Sequence, residues 1–160
     1  MTNSKTSRDI MNKSPPPVPR FTVITLGVFD MRVSIAFYEA LGFARKFRTT
    51  GEAVAFFETG ATVIGLFPWD QLAADVTLPD QPRPQAFRGM TLAWNCRSEE
   101  EVDAVLDFAI SKGAELLKPA HRTDYGGYSG YFADPNGHPW EVVVAPDIEV
   151  GDDRRVHLPD

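Results

Sequence analysis

The stretch that decides the fold is DPNGHPWEVVV, which spans residues 134–144 from Asp134 to Val144. Its first four residues favour a tight turn, because proline fixes φ and glycine tolerates φ above zero. Trp140 and the three valines that follow have high β propensity. Residues 128–133, just before the turn, have the same strand-like composition. The segment therefore predicts a β-hairpin near the end of the chain.

A strand and a helix are predicted upstream of this hairpin. Residues 90–96 are rich in apolar side chains, and Ser98 follows as a helix N-cap, with Glu101 three residues later to complete a capping box. Gly113 stands where a glycine ends a helix, and residues 114–118 form the next strand candidate. Apolar residues recur between the two caps at helical spacing: Val102, Val105, Leu106, Ala109 and Ile110.

The first half of the chain has the same order of elements. Residues 21–28 read as a strand, Asp30 as the N-cap of a helix and Gly42 as its end, with strand candidates at 43–49, 53–59 and 61–67. The order strand, helix, three strands thus occurs twice. Residues 68–88 are predicted to link the halves, with a short helix over 70–74. We expect residues 1–20 to be a disordered lead-in and residues 147–160 a charged tail.

Composition excludes several classes of function. The net charge of -6 and pI near 5.0 argue against nucleic-acid binding, which needs a basic surface. There is no run of 18 apolar residues, so we expect no membrane span. The N-terminus lacks the apolar core of a secretion signal. Cys96 is the only cysteine and is interpreted as a core residue, which fits a cytoplasmic location.

Three segments resemble one known family. Residues 24–43 (ITLGVFDMRVSIAFYEALGF), 89–103 and 126–143 are similar to vicinal-oxygen-chelate proteins, the glyoxalase, bleomycin-resistance and extradiol dioxygenase superfamily. The resemblance implies an α+β fold: two tandem βαβββ modules form a cupped mixed sheet, with the helices outside. Module one would span 21–67 and module two 89–146 of a single domain over 21–146. It implies the fold more firmly than the reaction.

The resemblance also indicates which residues of this sequence stand at the metal-ligand positions of the family's enzymes. Their ligands are His and Glu residues, and the matching positions here are Val23, Gly65, Thr91 (or Met90 in the neighbouring register) and Glu141. Only Glu141 carries a usual ligand group. The expectation is a member with a depleted metal site and no cofactor, with a weakly held divalent metal as the alternative.

Five residues form the predicted site. Glu141 would bind a cationic group or act as a general base, or else be a salt-bridged remnant with an arginine partner. Thr25, Thr91, Asn95 and Tyr131 would bind the substrate by hydrogen bonds, or satisfy local backbone and water instead.

Glycines and two histidines near this site are open to other interpretations. The glycine-rich residues 124–130 are either a lid or a simple turn. His138 is interpreted as a structural residue that bonds the loop, and His121 as a surface-loop residue.

Three functions remain open at this point. The first is a family member that binds a small organic molecule in the sheet cavity without the catalytic metal. The second is an enzyme resembling lactoylglutathione lyase or another lyase or isomerase, with Glu141 as base or metal ligand. The third is an interaction module that lacks a cavity. A homodimer is implied by the resemblance.

Overall fold

The computed structural model describes residues 19–78 and 86–159. Almost all of the predicted lead-in and part of the predicted linker lie outside these ranges. The chain forms two modules with the same order of elements. Module one contains β1 (Val23–Val28), α1 (Met31–Ala40), β2 (Ala44–Lys46), a 3-10 turn (Arg48–Thr50), β3 (Ala55–Glu58) and β4 (Val63–Pro68).

The second module follows a short connecting helix, α2 (Trp69–Asp75), which confirms the helix predicted in the linker. Module two contains β5 (Leu92–Asn95), α3 (Glu99–Ser111), β6 (Glu115–Arg122), β7 (Tyr128–Ala133) and β8 (Pro139–Val144). The tail, expected only to be charged, forms two further strands, β9 (Glu149–Val150) and β10 (Val156–His157), paired as a small hairpin.

The predicted α+β fold of two βαβββ modules is confirmed. Each module forms a four-stranded mixed sheet, ordered β1-β4-β3-β2 in the first and β5-β8-β7-β6 in the second. The pairs β1–β4 and β5–β8 are parallel, and the other pairs within these sheets are antiparallel. Strands β1 and β5 therefore lie at sheet edges, each with a single strand neighbour within the described ranges.

The helices begin and end at the residues that the sequence predicts. Asp30 accepts a hydrogen bond from Val33 N at 3.0 Å, and Ser98 accepts one from Glu101 N at 3.2 Å. Gly42 and Gly113 follow the helices with φ of 90° and 98°, a conformation that glycine adopts without strain. The predicted capping box is incomplete, because the Glu101 carboxylate accepts from Arg97 N at 2.6 Å and not from the cap residue.

The two modules share one core on the helix side of their sheets. Tyr38 on α1 packs against Trp140 on β8 with ring centroids 6.2 Å apart, and Phe43 contacts both Trp94 and Trp140 at 5.5 and 5.8 Å. Aromatic contacts of this kind bury large apolar areas. The core cluster contains side chains of both modules, so the modules are joined by their core.

Two loop interpretations are corrected by the structure. His121 lies in strand β6, where its Nδ1 is 2.9 Å from Ser129 O, and not in a surface loop. Gly130 lies in β7 beneath α3, where an added Cβ would be 2.6 Å from Leu106 Cδ1. This glycine serves close packing between helix and sheet, so the lid interpretation is wrong there. Among the described residues, no helix is long and apolar enough to cross a membrane.

Candidate functional site

The strand register places the predicted polar residues of module two on one face. Glu141 on β8 pairs with Ala93 on β5 and with Tyr131 on β7. Side chains alternate along a strand, so Thr91 and Asn95 share the face of Ala93. The surface formed by Thr91, Ala93, Asn95, Tyr131 and Glu141, called the Glu141 face below, lies opposite the shared core, as alternation predicts.

Glu141 and Tyr131 form a hydrogen-bonded pair on this face. The Tyr131 hydroxyl donates to Glu141 Oε1 at 2.6 Å, and both side chains are half-buried. This hydrogen bond to the carboxylate, followed by partial burial, raises the pKa of Tyr131 to about 12. The phenol is therefore protonated at neutral pH and serves as a donor. No arginine of the described ranges forms an ion pair with Glu141, so the remnant salt bridge weighed from the sequence does not form.

Thr25 lies in the other sheet. It pairs with Gly65 across β1 and β4, and its exposed side chain lies 3.3 Å from where a Cβ of Gly65 would be. Among the described residues, no hydrogen bond joins Thr25 to Glu141 or Tyr131. The structure thus brings four of the five predicted residues onto one sheet face and leaves Thr25 on a separate sheet.

The positions that the resemblance assigns to the family's metal ligands do not bring metal-binding side chains together in the described residues. Val23 is an apolar side chain that is 41% exposed, and Gly65 is covered by the Thr25 hydroxyl and the Phe56 ring. Thr91 is exposed and offers a neutral hydroxyl. Nowhere in residues 19–78 and 86–159 do three or more His, Cys, Asp or Glu side chains form a group that could hold a metal ion. The donor set does not fit a divalent transition metal.

A cavity lies at the free edge of β5, between the two modules and the C-terminal hairpin. This edge cavity has a volume of about 1100 Å³, which is large enough for a drug-sized ligand. Thr91 and Asn95, for which the sequence predicts a ligand-binding role, both line it. Trp140 is the residue of the 134–144 segment that lines it, and Glu141, Tyr131 and Thr25 are not among its lining residues. The expected cavity wall is therefore formed by Trp140 and not by Glu141.

The turn of the deciding hairpin joins the modules through buried polar groups. Asn136 Oδ1 accepts from Phe29 N at 2.9 Å, and Asn136 Nδ2 donates to Ser34 Oγ at 2.9 Å. Asp134 accepts from the Tyr38 hydroxyl at 2.9 Å and from the backbone of His138 at 2.8 Å. Burial, and then the Asp134 carboxylate, hold the pKa of Tyr38 well above its ordinary value. The turn is therefore a structural lock between the modules.

His138 belongs to this lock, which confirms its predicted structural role. Its Nδ1 is 2.9 Å from Arg88 Nη1, and its Nε2 is 2.9 Å from Gly27 O. Arginine only donates, so Nδ1 must accept and the neutral ring donates from Nε2 to the carbonyl. Burial lowers the pKa of His138, and the Arg88 charge lowers it further, against an opposing effect of Asp134 and the Gly27 carbonyl.

Cys96 is a core residue, as predicted. Its side chain is 2% exposed, and burial, followed by the nearby Glu101 carboxylate, raises the pKa of its thiol to about 12. The thiol therefore stays protonated at neutral pH and is a poor nucleophile.

The arginines around the edge cavity were missed by the sequence analysis. Arg97 follows β5, and Arg154 and Arg155 belong to the tail that was expected only to be charged. The paired arginines in DDRRVH were the available signal. Their position beside β5 depends on the β9–β10 hairpin folding back onto the modules, and no local pattern predicts that contact.

Comparisons with known proteins agree with this architecture. The family model of the Glyoxalase/Bleomycin resistance protein/Dioxygenase superfamily matches residues 20–142. Metallothiol transferase FosB of Lysinibacillus sphaericus (strain C3-41) is 32% identical over 118 residues, which cover 74% of this chain and 77% of that protein.

Solved structures are similar over most of their length. A glyoxalase-related enzyme from Fulvimarina pelagi is 34% identical with a TM-score of 0.78, covering 89% of this chain and 100% of that one. A lactoylglutathione lyase from Agrobacterium tumefaciens is 22% identical with a TM-score of 0.60, covering 81% of this chain and 96% of that one. This second likeness concerns the fold alone.

Proposed function

The chain belongs to the glyoxalase/bleomycin resistance protein/dioxygenase superfamily, and within it we propose that the protein binds a small organic molecule without the family's catalytic metal. The observation that carries this proposal is the edge cavity of about 1100 Å³ beside β5, lined by Thr91 and Asn95. A hydroxyl and an amide at a partly apolar wall can orient a ligand by hydrogen bonds.

The donor set supports binding without a metal. The similar FosB is named a metallothiol transferase, and family enzymes typically use a divalent metal. Here the matching positions hold Val23, Gly65 and Thr91, and Glu141 alone offers a carboxylate. A single carboxylate supplies too few ligands for a transition metal. We therefore expect ligand affinity to come from the protein side chains of the cavity wall and not from a metal ion.

Metal analysis tests the metal-free state. Protein purified without chelator should contain far less than one Ni, Zn, Mn or Fe per chain, and binding of organic ligands should be unaffected by treatment with a chelator. A stoichiometric metal that survives gel filtration, and whose removal abolishes ligand binding, would contradict the proposal.

A thermal-shift screen tests the cavity. A ligand at about 100 times its Kd adds about 2.7 kcal/mol to the free energy of unfolding. We expect a library of small organic acids, amines and neutral aromatics to contain compounds that raise the Tm of the wild type. The same compounds should leave the Tm of a Thr91→Phe variant unchanged, because the exposed Thr91 lines the cavity and a phenyl ring there would obstruct it. Equal shifts for both proteins would place the binding elsewhere.

A lyase or isomerase that uses Glu141 as base, or as a ligand of a weakly held metal, is the second candidate. One observation favours it: Glu141 uses Oε1 to accept from Tyr131, whereas no described residue donates to Oε2. A carboxylate oriented by a phenol with one oxygen to spare can accept a proton from a bound substrate. Glu141→Gln should then abolish turnover of any substrate found, with Tyr131→Phe reducing it less. Unchanged turnover in Glu141→Gln would exclude this function.

A homodimer is part of the proposal. Strands β1 and β5 are edge strands, and unpaired strand edges are prone to pair with another chain. Exposed apolar residues accompany them, including Phe21, Val23 and Met90. Sedimentation velocity at micromolar concentration should give the mass of two chains. A single-chain mass at all concentrations would contradict this.

A cytoplasmic location and the lack of nucleic-acid binding stay predictions.

A further inference from the structure

The charged groups around the edge cavity are mainly cationic. Arg97, Arg154 and Arg155 line it, and Glu101 is the one acidic residue of the lining within the described ranges. The whole chain has a net charge of -6, so this cluster has the opposite sign to the protein as a whole. A cavity with cations at its wall and a partly apolar interior concentrates the field of those charges inside it.

Glu101 offsets one of the three positive charges of the lining, and its carboxylate is engaged by a backbone donor. Its Oε2 accepts from the backbone N of Arg97 at 2.6 Å, in the first turn of α3. The carboxylate is thus directed at the β5–α3 connection. Its hydrogen bond satisfies a backbone donor at the helix start, and its charge is favourable at that end of the helix.

Arg97 holds the C-terminal hairpin in place. Its Nε donates to Val150 O at 3.1 Å, and its Nη2 donates to Gly151 O at 3.0 Å and lies 3.1 Å from Asp152 Oδ1. Three acceptors on the hairpin therefore occupy its guanidinium. Arg97 therefore positions the hairpin, and Arg154 and Arg155 are the arginines that can bind a charged group of the ligand.

Arg154 and Arg155 retain capacity to bind an anion. The described residues contain no carboxylate that forms an ion pair with Arg154. Arg155 forms a long ion pair with Asp153, but its Nε is 3.9 Å from Asp153 Oδ2, so this pair is not hydrogen-bonded. The guanidinium group binds a carboxylate with two parallel hydrogen bonds, so two neighbouring arginines are suited to one organic acid.

The backbone fixes Arg154 against module one. Its φ of 64° lies in the left-handed region, which costs energy for a residue with a Cβ. At Gly60, in the β3–β4 turn, an added Cβ would be 3.1 Å from Arg154 Cβ. The glycine therefore permits the hairpin to approach the turn closely.

The inner wall of the cavity is aromatic. Phe43, Trp94 and Trp140 all line it, and Phe43 contacts both tryptophans, tilted by 56° against Trp94 and by 33° against Trp140. Phe43 and Trp94 are half-buried, so parts of their rings are open to a ligand. A flat apolar group would gain burial and ring contacts there.

We infer that the ligand of the edge cavity is an organic carboxylate with a flat apolar body, the body against Phe43 and Trp94 and the carboxylate at Arg154 and Arg155. This inference rests on the proposed function, because it names the class of ligand for the same cavity. It adds that the C-terminal hairpin is a binding element and supplies the charge recognition.

A matched pair of probes tests the inference. 2-Naphthoate and the neutral 2-naphthamide have the same ring system and nearly the same shape, and differ in charge. By isothermal titration calorimetry, the full-length protein should bind 2-naphthoate about tenfold more tightly than 2-naphthamide at low salt. The difference should shrink as salt is added, because salt screens the arginine charges.

Variants test whether the charge of the ligand is recognised by the hairpin. The double substitution Arg154→Gln and Arg155→Gln should weaken 2-naphthoate binding about tenfold and change 2-naphthamide binding less than about twofold. The matched control is Arg32→Gln with Arg122→Gln, which removes the same charge from exposed ion pairs with Glu52 and Glu99. Neither control residue lines the cavity, so the control should bind both probes like the wild type.

The outcomes separate this inference from the proposed function. Equal affinity for both probes, or a preference for 2-naphthoate that survives in the hairpin double variant, would overturn the carboxylate class and leave binding in the cavity intact. The carboxylate class is also overturned if neither probe binds and the thermal-shift library yields a neutral or cationic compound that raises the Tm of the wild type but not of Thr91→Phe. Failure of both probes and of the library would overturn both proposals.

Discussion

The turn at residues 134–138 and the Glu141 face lie next to each other in one hairpin but hold polar groups differently. Asp134, Asn136 and His138 are 3%, 3% and 4% exposed, and each makes hydrogen bonds to module one or within the turn. Glu141 is half-buried, with one hydrogen bond from Tyr131. Buried polar groups with full sets of partners fix a structure, whereas a partly exposed group with spare capacity is available to a ligand.

Removal of Asp134 gives the sharpest test of this difference. Asp134→Ala leaves the Tyr38 hydroxyl and two turn backbone N–H groups without their acceptor, so we expect a loss of about 3 kcal/mol in the free energy of unfolding. Urea denaturation measures it. Asp134→Asn keeps an acceptor oxygen and should lose less. A change below about 1 kcal/mol in Asp134→Ala would mean that the turn does not lock the modules.

An isosteric change at Asn136 tests whether the network depends on the amide group. Asn136→Asp keeps the oxygen that accepts from Phe29 N but replaces the donor to Ser34 Oγ, whose own proton goes to Asp30 O. The buried carboxylate then faces a lone pair of Ser34 Oγ, and we expect the free energy of unfolding to fall by about 2 kcal/mol at neutral pH. The loss should diminish in acid as the new carboxyl group is protonated. Wild-type stability at neutral pH would show that the amide is dispensable.

The pH dependence of stability tests the neutral state of His138. Its pKa in the folded protein is lowered, so the unfolded chain binds more protons below about pH 6.5. Stability should therefore fall as the pH falls from about 6.5 toward the folded pKa, with a slope of at most about 1.4 kcal/mol per pH unit from this residue. His138→Gln should flatten the slope. His157→Asn, in the exposed tail, is the control, and a slope that His138→Gln leaves unchanged would contradict the assignment.

The Glu141 face should show the smallest effect on stability. Glu141→Gln removes a half-exposed charge, so the free energy of unfolding should change by less than about 1 kcal/mol. The pKa of Tyr131 should fall from about 12 toward its ordinary value of 10.0, as followed by the ultraviolet absorption of tyrosinate. Tyr131→Phe identifies this transition among the four tyrosines. A loss as large as that of Asp134→Ala would remove the contrast between the two regions.

Sequence patterns predicted much of the fold because they act over short distances. Asp30 and Ser98 cap helices through backbone groups three residues away, and alternation placed Glu141 and Asn95 on one face. Glu101 shows where this reasoning ends. The capping box predicts the backbone N–H of Ser98 as the donor to its carboxylate, and in the folded chain Arg97 N donates instead.

The sequence by itself determined the α+β architecture, the last hairpin and the buried thiol of Cys96, because each depends on residue type and local spacing. Only the tertiary structure decided that His138 meets Gly27, 111 residues away, and that the C-terminal hairpin brings Arg154 and Arg155 to the edge cavity. Such contacts depend on how the modules and the tail pack together. Their free energy comes from surfaces that are far apart in the chain, and no local pattern of residues records it.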